Sequence, residues 1–147
     1  YETRLVNQPD RGKRVMPSEV AVALRGALSQ VVDAGTAKRV AGSFKLADGT
    51  PLTMGGKTGT GDNRIEAIGA GGRILSSKSI NRTATFVFYI GEQHFGTLTA
   101  FVPGSSAQHF TFTSALPVQV LKGMAPILTP YLKPGAQTLC LPSMANH

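Results

Sequence analysis

The chain is sparing with several residue types. It has a single cysteine, Cys140, among 147 residues, so no internal disulfide can form. It has no tryptophan and only 7% aromatic residues. Those aromatics sit in apolar runs, not among basic residues, which argues against nucleic-acid binding despite a net charge of +7. Charged residues amount to 16% and are spread thinly; the densest basic stretch is Arg11, Lys13 and Arg14, read as a solvated connector. His94, His109 and His147 lie far apart, with no cysteine or acid at ligand spacing, so no metal site is expected. No apolar run reaches the roughly 18 residues of a membrane span. The nearest, Val118 to Leu128, is interrupted by Lys122, Gly123 and Pro126. No leader is visible after Tyr1, and the chain reads as an excised piece of something longer.

What is present suffices for one domain with a real core, since 41% of residues are hydrophobic. Residues 1–16 read as an extended connector, 17–128 as the folded part and 129–147 as a tail. Pro17, Ser18 and Glu19 favour a helix start. Val20, Leu24, Ala27, Leu28 and Val31 then form one apolar stripe at helical spacing, and Gly35 supplies a stop. Asp48-Gly49 predicts a tight turn within Val40 to Leu52, ahead of a strand over 50–60. Residues 61–82, rich in glycine and charge, read as a loop with a short strand near Arg73 to Leu75. Thr83 to Ile90 and Phe95 to Val102 read as paired strands. Apolar residues fall on both of their faces, so the sheet should be covered on both sides. Ser114 is expected to cap a last helix from Ala115 to Met124, closed by Pro126. The expected class is α+β, an antiparallel sheet flanked by helices.

One run stands out: Gly55-Gly56-Lys57-Thr58-Gly59-Thr60-Gly61, on the predicted strand edge. A phosphate-binding loop ending in Gly56-Lys57-Thr58 would need glycine at 51, which is Pro51. Dinucleotide binding at Gly69-x-Gly71 would need glycine at 74, which is Ile74. The run instead resembles the Lys-Thr-Gly signature of penicillin-binding proteins and serine β-lactamases. The helix ending Val31-Val32-Asp33-Ala34-Gly35-Thr36-Ala37 ahead of it resembles class A-type, bifunctional peptidoglycan synthases. The likeness spans roughly residues 15–128.

The chemistry suits the residues. A serine attacking an amide beside a carboxylate needs a cation to draw the carboxylate and bias proton transfer, which Lys57 can supply. It needs hydroxyls to hold the carboxylate, here Thr58 and Thr60. It needs an N–H facing the developing oxyanion, here that of Thr60. Gly59 lets substrate lie against the strand, and Gly55 and Gly56 allow close approach beside it.

The resemblance implies a D,D-transpeptidase that cross-links peptidoglycan stem peptides through a serine acyl-enzyme and is trapped by β-lactams. It implies no metal or organic cofactor, and a site in the cell envelope on the periplasmic face of the inner membrane. It also implies a five-stranded sheet of which this chain holds the last three strands. The rest of the domain, a membrane anchor and a glycosyltransferase domain would lie upstream. This segment itself is not expected to touch membrane or nucleic acid. The family's Ser-x-x-Lys is absent from the chain. Ser79-Ile80-Asn81 has the second signature's pattern but follows the Lys-Thr-Gly strand instead of preceding it, and is read as coincidence. A D,D-carboxypeptidase or β-lactamase on the same fold, and a non-catalytic binding or scaffold module, remain alternatives.

Overall fold

The computed structural model describes residues 13–132. Cys140, His147, Arg11 and most of the expected connector and tail lie outside them. Within them the order is helix α1 (Ser18–Asp33), strands β1 (Met54–Ile68), β2 (Ile74–Ile90) and β3 (His94–Pro103), and helix α2 (Ala115–Leu128). The strands form one antiparallel sheet in the order β1–β2–β3. The fold is α+β, as the sequence predicts. None of these helices is long and apolar enough to cross a membrane.

Side chains alternate across a strand, so the even-numbered residues of β1, β2 and β3 share one face near the core. That face carries Phe86, Ala84 and Ile90, all buried. α2 packs on it, placing Val118 and Leu121 in a core with Phe44, Val40 and Met54. The odd face is different. Tyr89 is buried there, but Val87 is 50%, Phe95 73% and Phe101 57% exposed. Among the described residues the even face is covered, whereas the odd face is covered only at its Tyr89 end, where α1 packs.

α1 forms where expected, but only the C-terminal half of the expected stripe faces inward. Val20, Leu24 and Ala27 are exposed, whereas Leu28 and Val31 are partly buried together with Ala21, Arg25, Ser29 and buried Val32. Arg25 sets this facing. Its guanidinium stacks on the Tyr89 ring, 4.2 Å from the centroid, and donates to the Gly91 carbonyl at 2.7 Å. The Tyr89 hydroxyl donates in return to the Arg25 carbonyl at 3.0 Å. A half-buried guanidinium held by these partners fixes the helix in this orientation. The chain leaves the helix by folding back, and Ala37 N–H donates to the Val31 carbonyl at 2.9 Å. A Cβ at Gly35 would lie 2.9 Å from that same carbonyl, so only glycine fits this exit.

Three further expectations change. The Asp48-Gly49 turn exists, with Gly49 at φ +85° and Leu46 N–H donating to the Thr50 carbonyl at 2.8 Å. Its flanks form only an isolated bridge, Lys45 to Pro51, and no sheet strand. Residues 61–82 are no loop: β1 and β2 run on through them as a long hairpin that turns at 69–73, where Gly71 and Gly72 have positive φ. Apart from buried Ser79, both faces of this arm are wet, so it lacks the apolar alternation that marks a strand. Finally, α2 passes through Pro126 to Leu128. Leu121 and Ala125, buried in the core, hold the turn around the proline, and the Thr129 hydroxyl donates to the Ala125 carbonyl at 2.7 Å. Ser114 makes no side-chain cap; the Thr113 hydroxyl accepts from Ala115 N–H at 3.3 Å instead.

Candidate functional site

The Lys-Thr-Gly run lies in the first half of β1, the sheet's outer strand. It pairs only with β2, Lys57 facing Val87 and Thr60 facing Ala84. Its other edge meets no strand among the described residues. Alternation divides the run. Lys57 and Gly59 lie on the open odd face, and Thr58 and Thr60 on the even face.

Lys57 is exposed, and its ammonium donates to the Thr58 carbonyl at 2.7 Å. Its nearest cross-strand neighbour, Val87, is apolar and half-exposed. A Cβ built at Gly59 would meet nothing within 4 Å, so the strand is bare there and a ligand could lie along it. Gly55 and Gly56 behave otherwise. A Cβ at Gly55 would come within 2.6 Å of the Tyr89 ring and hydroxyl, and one at Gly56 would meet the Val87 carbonyl and the Phe86 ring. The close approach they permit is by the protein's own aromatic rings, not by a ligand.

The threonines are engaged. Thr58 is buried, and its Oγ1 lies 2.7 Å from Oγ1 of Thr36, just past α1. This contact joins the two segments that carry the resemblance, 31–37 and 55–61. One hydroxyl must donate to the other, leaving the acceptor's own O–H unused: that of exposed Thr36 when Thr58 donates, that of buried Thr58 when Thr36 donates. Thr60 Oγ1 accepts the Ser114 N–H at 2.9 Å, tying β1 to the start of α2, and its O–H likewise remains available. The sequence places Ser114 at a helix start and Thr36 after α1, but it does not show either as a neighbour of the site. Both contacts arise from packing between segments 22 and 54 residues apart.

Beyond Thr60 the strand is fixed by charge. Arg82 donates to the Phe112 carbonyl at 2.7 Å and lies 3.6 Å from Asp62, which Arg64 also bonds at 3.0 Å. Ser79 sits eight residues along β2 from Val87, about 26 Å at strand rise, and is buried with no partner for its Oγ. It is not placed with Lys57. Among the described residues no three His, Cys, Asp or Glu side chains gather as metal ligands. An open cleft of about 580 Å³, lined by Lys45, Leu46, Lys122, Pro126 and Thr129, does not involve the Lys-Thr-Gly strand.

No family model and no curated protein matches this chain. The likeness to penicillin-binding proteins therefore rests on the residues themselves.

Proposed function

We propose that this chain is the Lys-Thr-Gly-bearing part of a serine D,D-transpeptidase, completed by a nucleophile-bearing segment outside it. The observation that carries the reading is the pairing of Lys57 with bare Gly59 on a sheet face left open beside exposed Val87, Phe95 and Phe101. An apolar surface of this kind can seat a further protein segment. A segment seated there would bring a serine to the Lys57 ammonium. The carboxylate end of a stem peptide, or of a β-lactam, would lie over Gly59 beside the Lys57 ammonium. Lys57 would favour the serine's deprotonated form and the carboxylate together.

A second reading has its own support. Thr58 and Thr60 both make internal hydrogen bonds on the face away from Lys57. A binding or scaffold module that keeps the strand without catalysis would use them in that way. Fluorescent penicillin separates the two. Under the transpeptidase reading, a full-length parent carrying this segment labels covalently, and Lys57→Ala slows labelling by about 100-fold, the usual cost of one electrostatic group of ~3 kcal/mol. A parent that never labels, or labels at the same rate without Lys57, leaves the binding module.

A further inference from the structure

The hairpin arm beyond Asn63 takes no part in the site described above, and it has an unusual pair of edges. β3 ends at Pro103, opposite Asn81, so past that point both β1 and β2 are edge strands. The register shows where each is interrupted. Asn63 faces Asn81 but Arg64 faces Ser79, and Ala67 faces Ser76 but Ile68 faces Ile74. The unopposed residues are Ile80 and Leu75, both on β2. Bulges break the regular row of N–H and C=O groups and are a common guard against edge pairing. Here they guard β2 only. The β1 edge stays regular to Ile68, without the lysine or proline that usually protects an edge, and with Ile65 63% and Ile68 66% exposed.

The order of charges on this edge is self-complementary. Directly opposed residues in an antiparallel pair share a face, so a two-fold axis between identical strands must pass through a residue. Centred on Ile65, the axis sets Ile65 against its own copy and Arg64 against Glu66 twice. Centred on Arg64 or on Glu66, it sets like charges directly opposite each other. Arg64 already bonds Asp62 through Nε and one terminal nitrogen, and its fork has further N–H donors for a second carboxylate.

We propose that residues 62–68 form a homodimerisation edge, in which two copies of this chain pair antiparallel about Ile65 and extend the arm's sheet across the two-fold axis. The interface is isologous and small, so the dimer belongs among weak ones. This inference does not rest on the transpeptidase reading, and either can fail alone.

The test uses sedimentation and cross-linking of the whole chain. In a Cys140→Ser background, Ile65→Cys should oxidise readily to a disulfide-linked dimer, because opposed Cα atoms lie about 4.5–5.5 Å apart. Ala67→Cys should not, since its copy is about 13 Å away in this register. Without added cysteine, Arg64→Glu and Glu66→Arg should each weaken dimerisation about tenfold or more, and the double exchange should restore it. Melting curves check that each variant folds, and the two cysteine variants decide the register independently of the charge series. A chain that stays monomeric at about 100 μM, equal cross-linking at 65 and 67, or a double exchange no better than the singles would overturn the proposal.

Discussion

At the scale of single residues, three side chains give distinct expectations. Lys57 is exposed and makes one hydrogen bond, to its own strand, so Lys57→Ala should leave the melting temperature nearly unchanged while it slows acylation in the parent. A large loss of stability would mean that the lysine is structural. Gly55 faces the Tyr89 ring, and Gly55→Ala should cost about 1–3 kcal/mol in denaturant unfolding, because a methyl cannot enter without moving that ring off Arg25. Asp48 accepts the Thr50 N–H at 2.8 Å. That backbone hydrogen bond, with a lesser one to the Thr50 side chain, holds its carboxyl below the ordinary aspartate value. The folded chain thus binds this proton less readily than the unfolded chain. The turn's contribution is full above the unfolded value and fades as pH falls through the folded one. A carboxyl titration followed by NMR should find Asp48 depressed, and Thr50→Pro, which removes the N–H, should return it towards normal.

At the scale of elements, legibility followed solvent contrast. α1 and the paired strands 83–90 and 95–102 were readable because their apolar residues carry helical spacing or β-branched and aromatic density. The facing of α1 was not, because Arg25 docks on Tyr89, a partner 64 residues away. The arm was hidden because its strands, Ser79 apart, are wet on both sides and stabilise each other by backbone pairing and polar pairs such as Asn63–Asn81, at 2.8 Å. In the site, Lys57, Thr58, Gly59 and Thr60 could be named from the sequence, but their division between faces depends on strand alternation, and the partners Thr36 and Ser114 on packing. α2 offers a test at this scale. Pro126 lacks the N–H that would bond the Lys122 carbonyl, yet the helix continues. Pro126→Ala should raise stability by about 1 kcal/mol or more, short of the ~3 typical of a mid-helix proline. A drop in melting temperature would mean that the ring itself packs usefully.

At the scale of the whole molecule, two apolar surfaces lack cover among the described residues: the Val87, Phe95 and Phe101 part of the odd sheet face, and the Val20–Leu24 side of α1. Under the proposed function they adjoin the nucleophile-bearing segment. The isolated chain should therefore bind a hydrophobic dye such as ANS, and a separately produced upstream segment should displace it. A chain that binds no dye would point to the self-sufficient binding module. The same isolated chain should take no covalent label from fluorescent penicillin, since it has no Ser-x-x-Lys. Label at Ser79 would require a rearranged site.

The latch between α1 and the sheet also gives the protein a spectroscopic voice. There is no tryptophan. Of the tyrosines in the described residues, Tyr131 stands in solvent, while Tyr89 is buried beneath a guanidinium. The asymmetric environment of that one ring should dominate the near-ultraviolet circular dichroism of the tyrosines. Undocking of α1 can then be followed in the wild-type chain, with no label attached, separately from the melting of its helices at shorter wavelengths.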